Sequence, residues 1–426
     1  MPKITPEMRQ APEGYFNVRF GKPEYTDWID ESKSWKESVY IGDWSFLWER
    51  RIKGPDAEKL LSAISVNTFT NFPATKAKHL IHTDHNGKVI HEGVLNKVSD
   101  EEYVLFGRGA FWAEYHAKKG GYDVEVKGED FFNFQVSGPF AIHVVEKAAG
   151  QSLRDVKFMH FGVIEIAGVK LWALRQGMAG EIGYELQGPR EHGPEVYAAI
   201  LAAGQEFGIR RMGARVSGVN HLEACFPTIV VDYLPAIFEP NMESYREMFT
   251  SAMPGFAITF NVAGSFDGQE VSDYYRSPVE LGWGRNIKFD HDFIGDAALK
   301  EELADPRRTI RTLVWNAEDV LEVQASMFLP GEPYPFMDYP RDQRGFMWCD
   351  KVMRGGRMIG TATSRGYSFH FREMISLATL DVADADIGGD VVVIWGNPGG
   401  PQKEIRAKVA PAPYKADNRR ADVKAI

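Results

Sequence analysis

The chain has 426 residues, too many for one ordinary hydrophobic core, so about two to three domains are expected. Apolar residues make up 44% and charged residues 25%, a globular balance, and the net charge of −10 argues against nucleic acid or an anionic membrane as the main partner. Two cysteines, Cys225 and Cys349, make neither a disulfide framework nor a CxxC metal site. The N-terminus shows no apolar run of signal-peptide length, and runs such as Val391 to Trp395 are too short to cross a membrane. A reducing, cytoplasmic setting is expected.

Residues 1–35 read as an irregular arm anchored by Trp28 and Trp35. Ser38 to Ile41 and Trp44 to Ile52 read as strands with a turn at Gly42-Asp43, and Ala57 to Ile64 as a helix opened by Pro55 and Asp56. Gln135-Val136-Ser137-Gly138-Pro139-Phe140-Ala141 then echoes Arg51-Ile52-Lys53-Gly54-Pro55-Asp56-Ala57, again strand, Gly-Pro, helix. A duplicated α+β half is one reading of this echo, and coincidence is the other. Between the echoes come strands around the Asn86-Gly87 turn, a strand at Tyr103 to Gly107 and a helix from Ala110 to Lys119. After them, Phe158 to Ile166 and Val169 to Leu174 pair as strands, and Gly193 to Phe207 is a helix stopped by Gly208. From Thr309 onward, six short strands predict a separate all-β barrel or sandwich, followed by a mobile tail after Pro411.

The stretch from Leu174 to Pro189 organises the rest. Gly177, Gly180 and Gly183 form a glycine-rich loop between strands, where positive φ and close backbone approach are possible. The pattern from Arg175 to Glu185 resembles the signature of the glycine-cleavage T-protein family, the folate-binding aminomethyltransferases. Met212-Gly213-Ala214-Arg215 to Leu222-Glu223-Ala224 is similar to a second block of that family. Within it, Gly177-Met178-Ala179-Gly180, Leu234-Pro235-Ala236-Ile237, Lys288 to Gly295 and Ser376 to Thr379 resemble the bacterial tetrahydrofolate-dependent vanillate and syringate O-demethylases. The resemblance implies an α+β, T-protein-like folate-binding fold with duplicated α/β halves and a C-terminal all-β barrel. Residues 1–52 with 132–240 would form the folate-binding domain, 53–131 with 241–300 a second α+β domain, and 301–426 the barrel.

The resemblance also assigns residues. Glu223 is expected to accept two N–H bonds from a pterin edge, with an ordinary helix Glu as the alternative. Tyr184 and Met178 would contact the folate, Tyr184 being otherwise a core aromatic; Trp283 would close over it, and Gln135 would reach the pterin. Arg108 suits a substrate carboxylate, the alternative being a surface Arg at a strand end. Glu92, one methylene longer, stands where the family carries an Asp near the reacting carbon, with a satisfied structural acid as the alternative, and Tyr367 lies in a strip facing the site; these are the catalytic candidates. Trp44, Leu47 and Phe238 replace the polar Gln, His and Tyr of the O-demethylases, which predicts a less polar substrate pocket. His79, His82 and His85 are spaced by three, but a strand does not bring such residues to one face, and no metal site is expected.

The function implied is a tetrahydrofolate-dependent O-demethylase, moving a methyl group from a methoxylated, carboxylated aromatic compound to N5 of tetrahydrofolate. The rivals are a demethylenase of a methylenedioxy ring, an amine or sulfonium demethylase or aminomethyltransferase of the same family, and a non-catalytic folate-binding regulator. Neither nucleic acid nor membrane is an expected partner.

Overall fold

A computed structural model describes residues 3–4, 22–252, 260–342 and 347–426. The arm predicted as irregular ends in a helix, α1 (Trp28–Glu37). Asp27 starts it by accepting from the Ile29 and Asp30 N–H groups. Trp35 on this helix is fully buried.

The chain then builds two sheets in alternation. β1 (Tyr40–Asp43) opens the first sheet. β2 (Glu49–Lys53), β3 (Ala77–Thr83), β4 (Val89–Ser99), β5 (Glu102–Phe106) and β6 (Glu125–Gly128) make the second, in the order β3-β4-β5-β2-β6. β7 (Phe131–Ser137), β8 (Phe161–Ile166), β9 (Val169–Arg175), β10 (Gly183–Pro189) and the short β11 (Arg210–Arg211) return to the first, in the order β11-β1-β7-β10-β9-β8. The expected boundary after residue 52 is corrected, because β2 pairs with β5 and β6. The crossing lies in the turn at 44–48, which apolar alternation had joined to the strand.

The Gly-Pro echo has a matching geometry. α2 (Ala57–Ala63) follows β2, and α4 (Ala141–Ala149) follows β7. Gly54 and Gly138 take φ of +144° and +133°, and a Cβ would lie 2.3 Å from the Asp123 carbonyl oxygen at the first and 2.6 Å from that of Ser38 at the second. Only glycine fits such a crossing of strand and loop. Each α+β layer buries its own core. In the first sheet, Val136, Tyr184 and Leu186 pack against Ile142 and Val145 of α4 and Val196 and Ile200 of α5 (Gly193–Gly204). In the second, Ile81, Ile90 and Leu105 pack with Leu60 and Leu61 of α2, Phe111 of α3 (Gly109–Lys119) and Phe249 of α7 (Glu243–Ala252).

The opposite faces of the two sheets turn toward each other. The Ala77 N–H donates to the Met159 carbonyl at 2.7 Å, and the Asn96 amide on β4 donates to Gln187 on β10 at 2.8 Å. β12 (Val262–Ala263) pairs in parallel with β14 (Met347–Trp348). The remaining strands, β13 (Arg308–Trp315), β15 (Asp350–Arg354), β16 (Arg357–Ser368), β17 (Glu373–Asp381), β18 (Asp390–Trp395) and β19 (Lys403–Ala410), form the expected barrel, closed where β13 meets β19. Leu222 at the end of α6 (Ala214–Glu223) packs on Ile375 and Leu377 and joins the barrel to the first layer.

The expectation of a mobile tail is overturned. Lys415 is 3% exposed, donates to the Ala179 carbonyl at 2.9 Å and pairs with Glu181 at 3.0 Å, while the Asn418 N–H donates to the Gly180 carbonyl. A polar composition suggested mobility, but these polar groups find buried partners on the glycine loop.

Candidate active site

A cavity of about 860 Å³ lies between the two sheets, α6 and the barrel, within the usual size range of small-molecule sites. Its polar wall comes from the first sheet. Glu185 on β10 points away from the α4–α5 core because its neighbours Tyr184 and Leu186 fill that core. The Glu185 carboxylate accepts from the Gln176 amide at 2.8 Å and from the Gln187 amide at 3.3 Å. Burial pushes its pKa up to about 7 against these two donors. Asn133 Oδ1 and His221 Nε2 are buried without a hydrogen-bond partner among the described residues, and both residues line the cavity. Burial and the Arg341 charge hold His221 down at about 3, so its ring is neutral.

The glycine loop next to Glu185 is shaped by contacts within the chain. A Cβ on Gly177 would lie 2.0 Å from the Glu181 carbonyl oxygen, and one on Gly183 would lie 2.8 Å from the Gly177 Cα. The glycines let two strand ends cross, and Met178 is carried to the cavity wall between them.

Five expected site residues lie elsewhere. Glu223 is 0% exposed, and its two oxygens already accept from the Trp35 indole N–H at 2.9 Å and the Ser368 hydroxyl at 2.6 Å. It ties α1 to α6 and the barrel, and it does not line the cavity. Tyr184 is fully buried in the α4–α5 core, so the alternative reading as a core aromatic holds for its placement. Gln135 lies directly opposite Glu185 in the β7–β10 register, but it is covered, accepts from the Tyr40 hydroxyl and does not line the cavity. Phe238 sits edge-on to Phe260 with ring centroids 4.9 Å apart. Its segment is pinned away from the cavity by the Ala236 N–H donating to the Val89 carbonyl. Tyr367 meets the Trp28 ring edge-on and the Tyr339 ring at a tilt, and its hydroxyl accepts from Arg372 at 3.0 Å. The cause is a register shift in β16 between Thr363 and Gly366, which turns Ser364 and Arg365 to the cavity instead.

The remaining six do line the cavity: Trp44, Leu47, Glu92, Arg108, Met178 and Trp283. Trp44 and Leu47 share the crossing turn, with the Leu47 N–H donating to the Trp44 carbonyl at 3.0 Å. The Trp44 ring lies across Gly42, where a Cβ would be 2.0 Å away, and stands 6.1 Å from the His221 ring. Arg108 starts α3 on the opposite wall, beyond Phe106. Glu92 on β4 bonds His79 Nε2 at 3.0 Å, and Trp283 meets the His79 ring edge-on at 4.8 Å. The three spaced histidines indeed diverge: His79 faces the cavity, His82 bonds the Ile64 carbonyl behind the sheet, and His85 is exposed on the turn. Among the described residues no group of three His, Cys, Asp or Glu is placed to hold a metal ion.

Glu185 escaped the sequence reading although it ends the Arg175–Glu185 motif. The signal was present: Tyr184 and Leu186 are the apolar side of β10, so Glu185 and Gln187 must face the other way. The set fits the 2-amino-pyrimidinone edge of a reduced folate. That edge offers N–H donors to a carboxylate and polar atoms to the unpartnered Asn133 and His221.

Residues 10–239, more than half the chain, match the family model described as the GCVT N-terminal domain, and the protein belongs to this family of tetrahydrofolate-dependent one-carbon transferases. It is 32% identical to a syringate O-demethylase of Sphingobium sp., covering 94% of this chain and 91% of that protein. It is 34% identical to a sesamin methylene transferase of Sinomonas sp., covering 94% and 93%. The aminomethyltransferase T of Bartonella henselae shares the fold, with a TM-score of 0.69 over 97% of this chain and 96% of that one at 15% identity.

Proposed function

We propose that this chain is a tetrahydrofolate-dependent O-demethylase that takes a methyl group from a methoxylated aromatic acid, leaving a phenol and 5-methyltetrahydrofolate. The observation that carries the reading is the composition of the cavity: a hydrogen-bonding wall of Glu185, Gln176, Asn133 and His221 adjoins an apolar corner of Trp44, Leu47 and Trp48. When bound, the reduced folate supplies the nucleophilic nitrogen that accepts the one-carbon unit.

The chain's own residues position and protonate. Glu185, oriented by Gln176 and Gln187, takes the pterin N–H edge, and Asn133 and His221 complete it. Trp44 and Leu47 hold the ring of the donor and exclude water, so the two reactants meet in one orientation. Arg108 holds the donor's carboxylate. His79 and Glu92, sharing a hydrogen bond at the cavity wall, supply the proton that the leaving phenolate needs. Tyr367 has no part in this step, because its hydroxyl faces Arg372. Cys225 and Cys349 are free, which suits the cytoplasmic setting included in this reading.

Incubation with tetrahydrofolate and 3,4-dimethoxybenzoate, reading both the pterin and the phenol, tests the proposal. Stoichiometric 5-methyltetrahydrofolate and a monophenol are expected, and a panel of methoxylated benzoates that yields neither product rejects it. A demethylenase acting on a methylenedioxy ring is the second reading. The apolar Trp44–Leu47 corner favours it equally, since both ring oxygens of such a donor are capped. It predicts 5,10-methylenetetrahydrofolate and a catechol instead.

A further inference from the structure

The barrel end of the cavity carries an arginine that the reaction above does not use. The β16 register shift frees Ser364 and Arg365 from the ladder, with Ser364 at φ +51°, and both residues line the cavity. Arg365 is 6% exposed. Its Nη1 donates to the Asp338 carbonyl at 3.1 Å and touches the Met374 sulfur at 3.3 Å, and its guanidinium lies over the Trp395 ring at 5.1 Å. Nη2 is buried and, among the described residues, has no hydrogen-bond partner. Among the described residues no carboxylate forms an ion pair with Arg365. The nearest acids, Asp342, Asp350 and Asp338, act on it only at longer range, and Asp350 is already occupied by the Ser265 N–H at 3.0 Å.

A buried guanidinium with one free donor is costly unless something pairs with it. Nη1 and the Trp395 face fix the plane of the fork, and with it the direction of the open Nη2. We propose that Arg365 forms a carboxylate-binding subsite at the barrel end of the cavity, separate from Arg108 at the start of α3. The proposal rests on the reading that this cavity takes both a folate and an aromatic acid, each of which brings a carboxylate. Which of the two reaches Arg365 is decided by experiment.

Calorimetry on the full chain would compare wild type with Arg365→Met and Arg365→Lys. Two ratios are read: the affinity for 3,4-dimethoxybenzoate over its methyl ester, and that for tetrahydrofolate over 6-methyltetrahydropterin, which lacks the glutamyl carboxylates. Arg365→Met is expected to lower one of these ratios by about ten- to a hundredfold, the loss of a charge-assisted bond, with the uncharged ligand little affected. Arg365→Lys should restore part of it. A drop in the first ratio assigns the subsite to the donor, and a drop in the second assigns it to the folate tail. Both ratios unchanged within about twofold would overturn the subsite while leaving the functional reading intact. Wild type that binds neither ligand rejects that reading, and the subsite with it. If Arg365→Met does not fold, a crystal structure of wild type with each ligand decides: a carboxylate oxygen in hydrogen-bond reach of Arg365 Nη2 supports the subsite, and carboxylates placed elsewhere overturn it.

Discussion

Replacing Glu223 with Ala strips the Trp35 indole and the Ser368 hydroxyl of their acceptor inside a dry contact. The expected cost is about 2–4 kcal/mol of folding stability, seen as a lower melting temperature, with folate affinity unchanged in the protein that remains folded. Glu185→Gln should do the reverse, weakening tetrahydrofolate by about 2–4 kcal/mol in calorimetry while the protein stays folded. Tyr184→Phe removes a buried hydroxyl that has no partner, so folate affinity should hold and stability should stay level or rise by up to about 1 kcal/mol. The pH dependence follows from Glu185, whose carboxyl burial raises from 4.5 to about 7. An edge of N–H donors needs the ionised form, so folate affinity should climb as pH rises toward about 7 and level off above it, with protons released on binding below that point. Stability has the opposite sign. The unfolded chain ionises first, so this residue costs stability as pH rises from 4.5 to about 7. A folate affinity that is flat between pH 6 and 8 would show that Glu185 does not carry the pterin. Glu185 and Glu223 also mark what sequence reasoning could reach. It found the two blocks that hold them, but a buried carboxylate with partners and one awaiting a ligand look the same until the partners are placed.

At the scale of elements, the two Gly-Pro turns carry the sharpest expectation. Gly138→Ala and Gly54→Ala force a Cβ against a carbonyl oxygen at a φ that L residues rarely take, and each should cost about 2 kcal/mol or more by chemical denaturation. Equal stability of either variant would count against the strand–loop crossing described here. The C-terminal segment carries another. Lys415 holds the glycine loop through Ala179 and Glu181, so Lys415→Met should loosen residues 177–183, raising their hydrogen exchange and weakening folate binding. The barrel strands and most helices were legible because each buries one face and shows its period in the sequence. The tail, α1 and the crossing turn at 44–48 were not. Their order comes from contacts with distant residues, such as Trp35 with Glu223 and Asn418 with Gly180, which leave no local periodicity.

At the scale of the molecule, the proposed function makes the cavity's apolar corner the determinant of substrate choice. Trp44 and Leu47 offer no group to accept the proton of a free phenol, and leaving such a hydroxyl unpaired costs about 1–3 kcal/mol. The kcat/KM for 3,4-dimethoxybenzoate should therefore exceed that for vanillate, and the opposite order would remove this account of the corner. Phe238 no longer enters that expectation, since it packs on Phe260 outside the cavity.

The walls of the cavity also have a thermodynamic consequence for the fold itself. They come from two sheets, a barrel and the residues that follow it, Asp417, Arg419 and Arg420 among them, and the two sheets and the barrel each have their own apolar core. A ligand that fills the cavity would add contacts to several of them at once. Saturating tetrahydrofolate should thus act as a cross-link. In scanning calorimetry the ligand-free chain should melt over a broad, composite transition, which narrows and moves upward as ligand is added. In a cell, a chain whose late residues are not yet in place would be unable to gain that protection. Vitamin supply would then govern how long the enzyme survives as well as how fast it works.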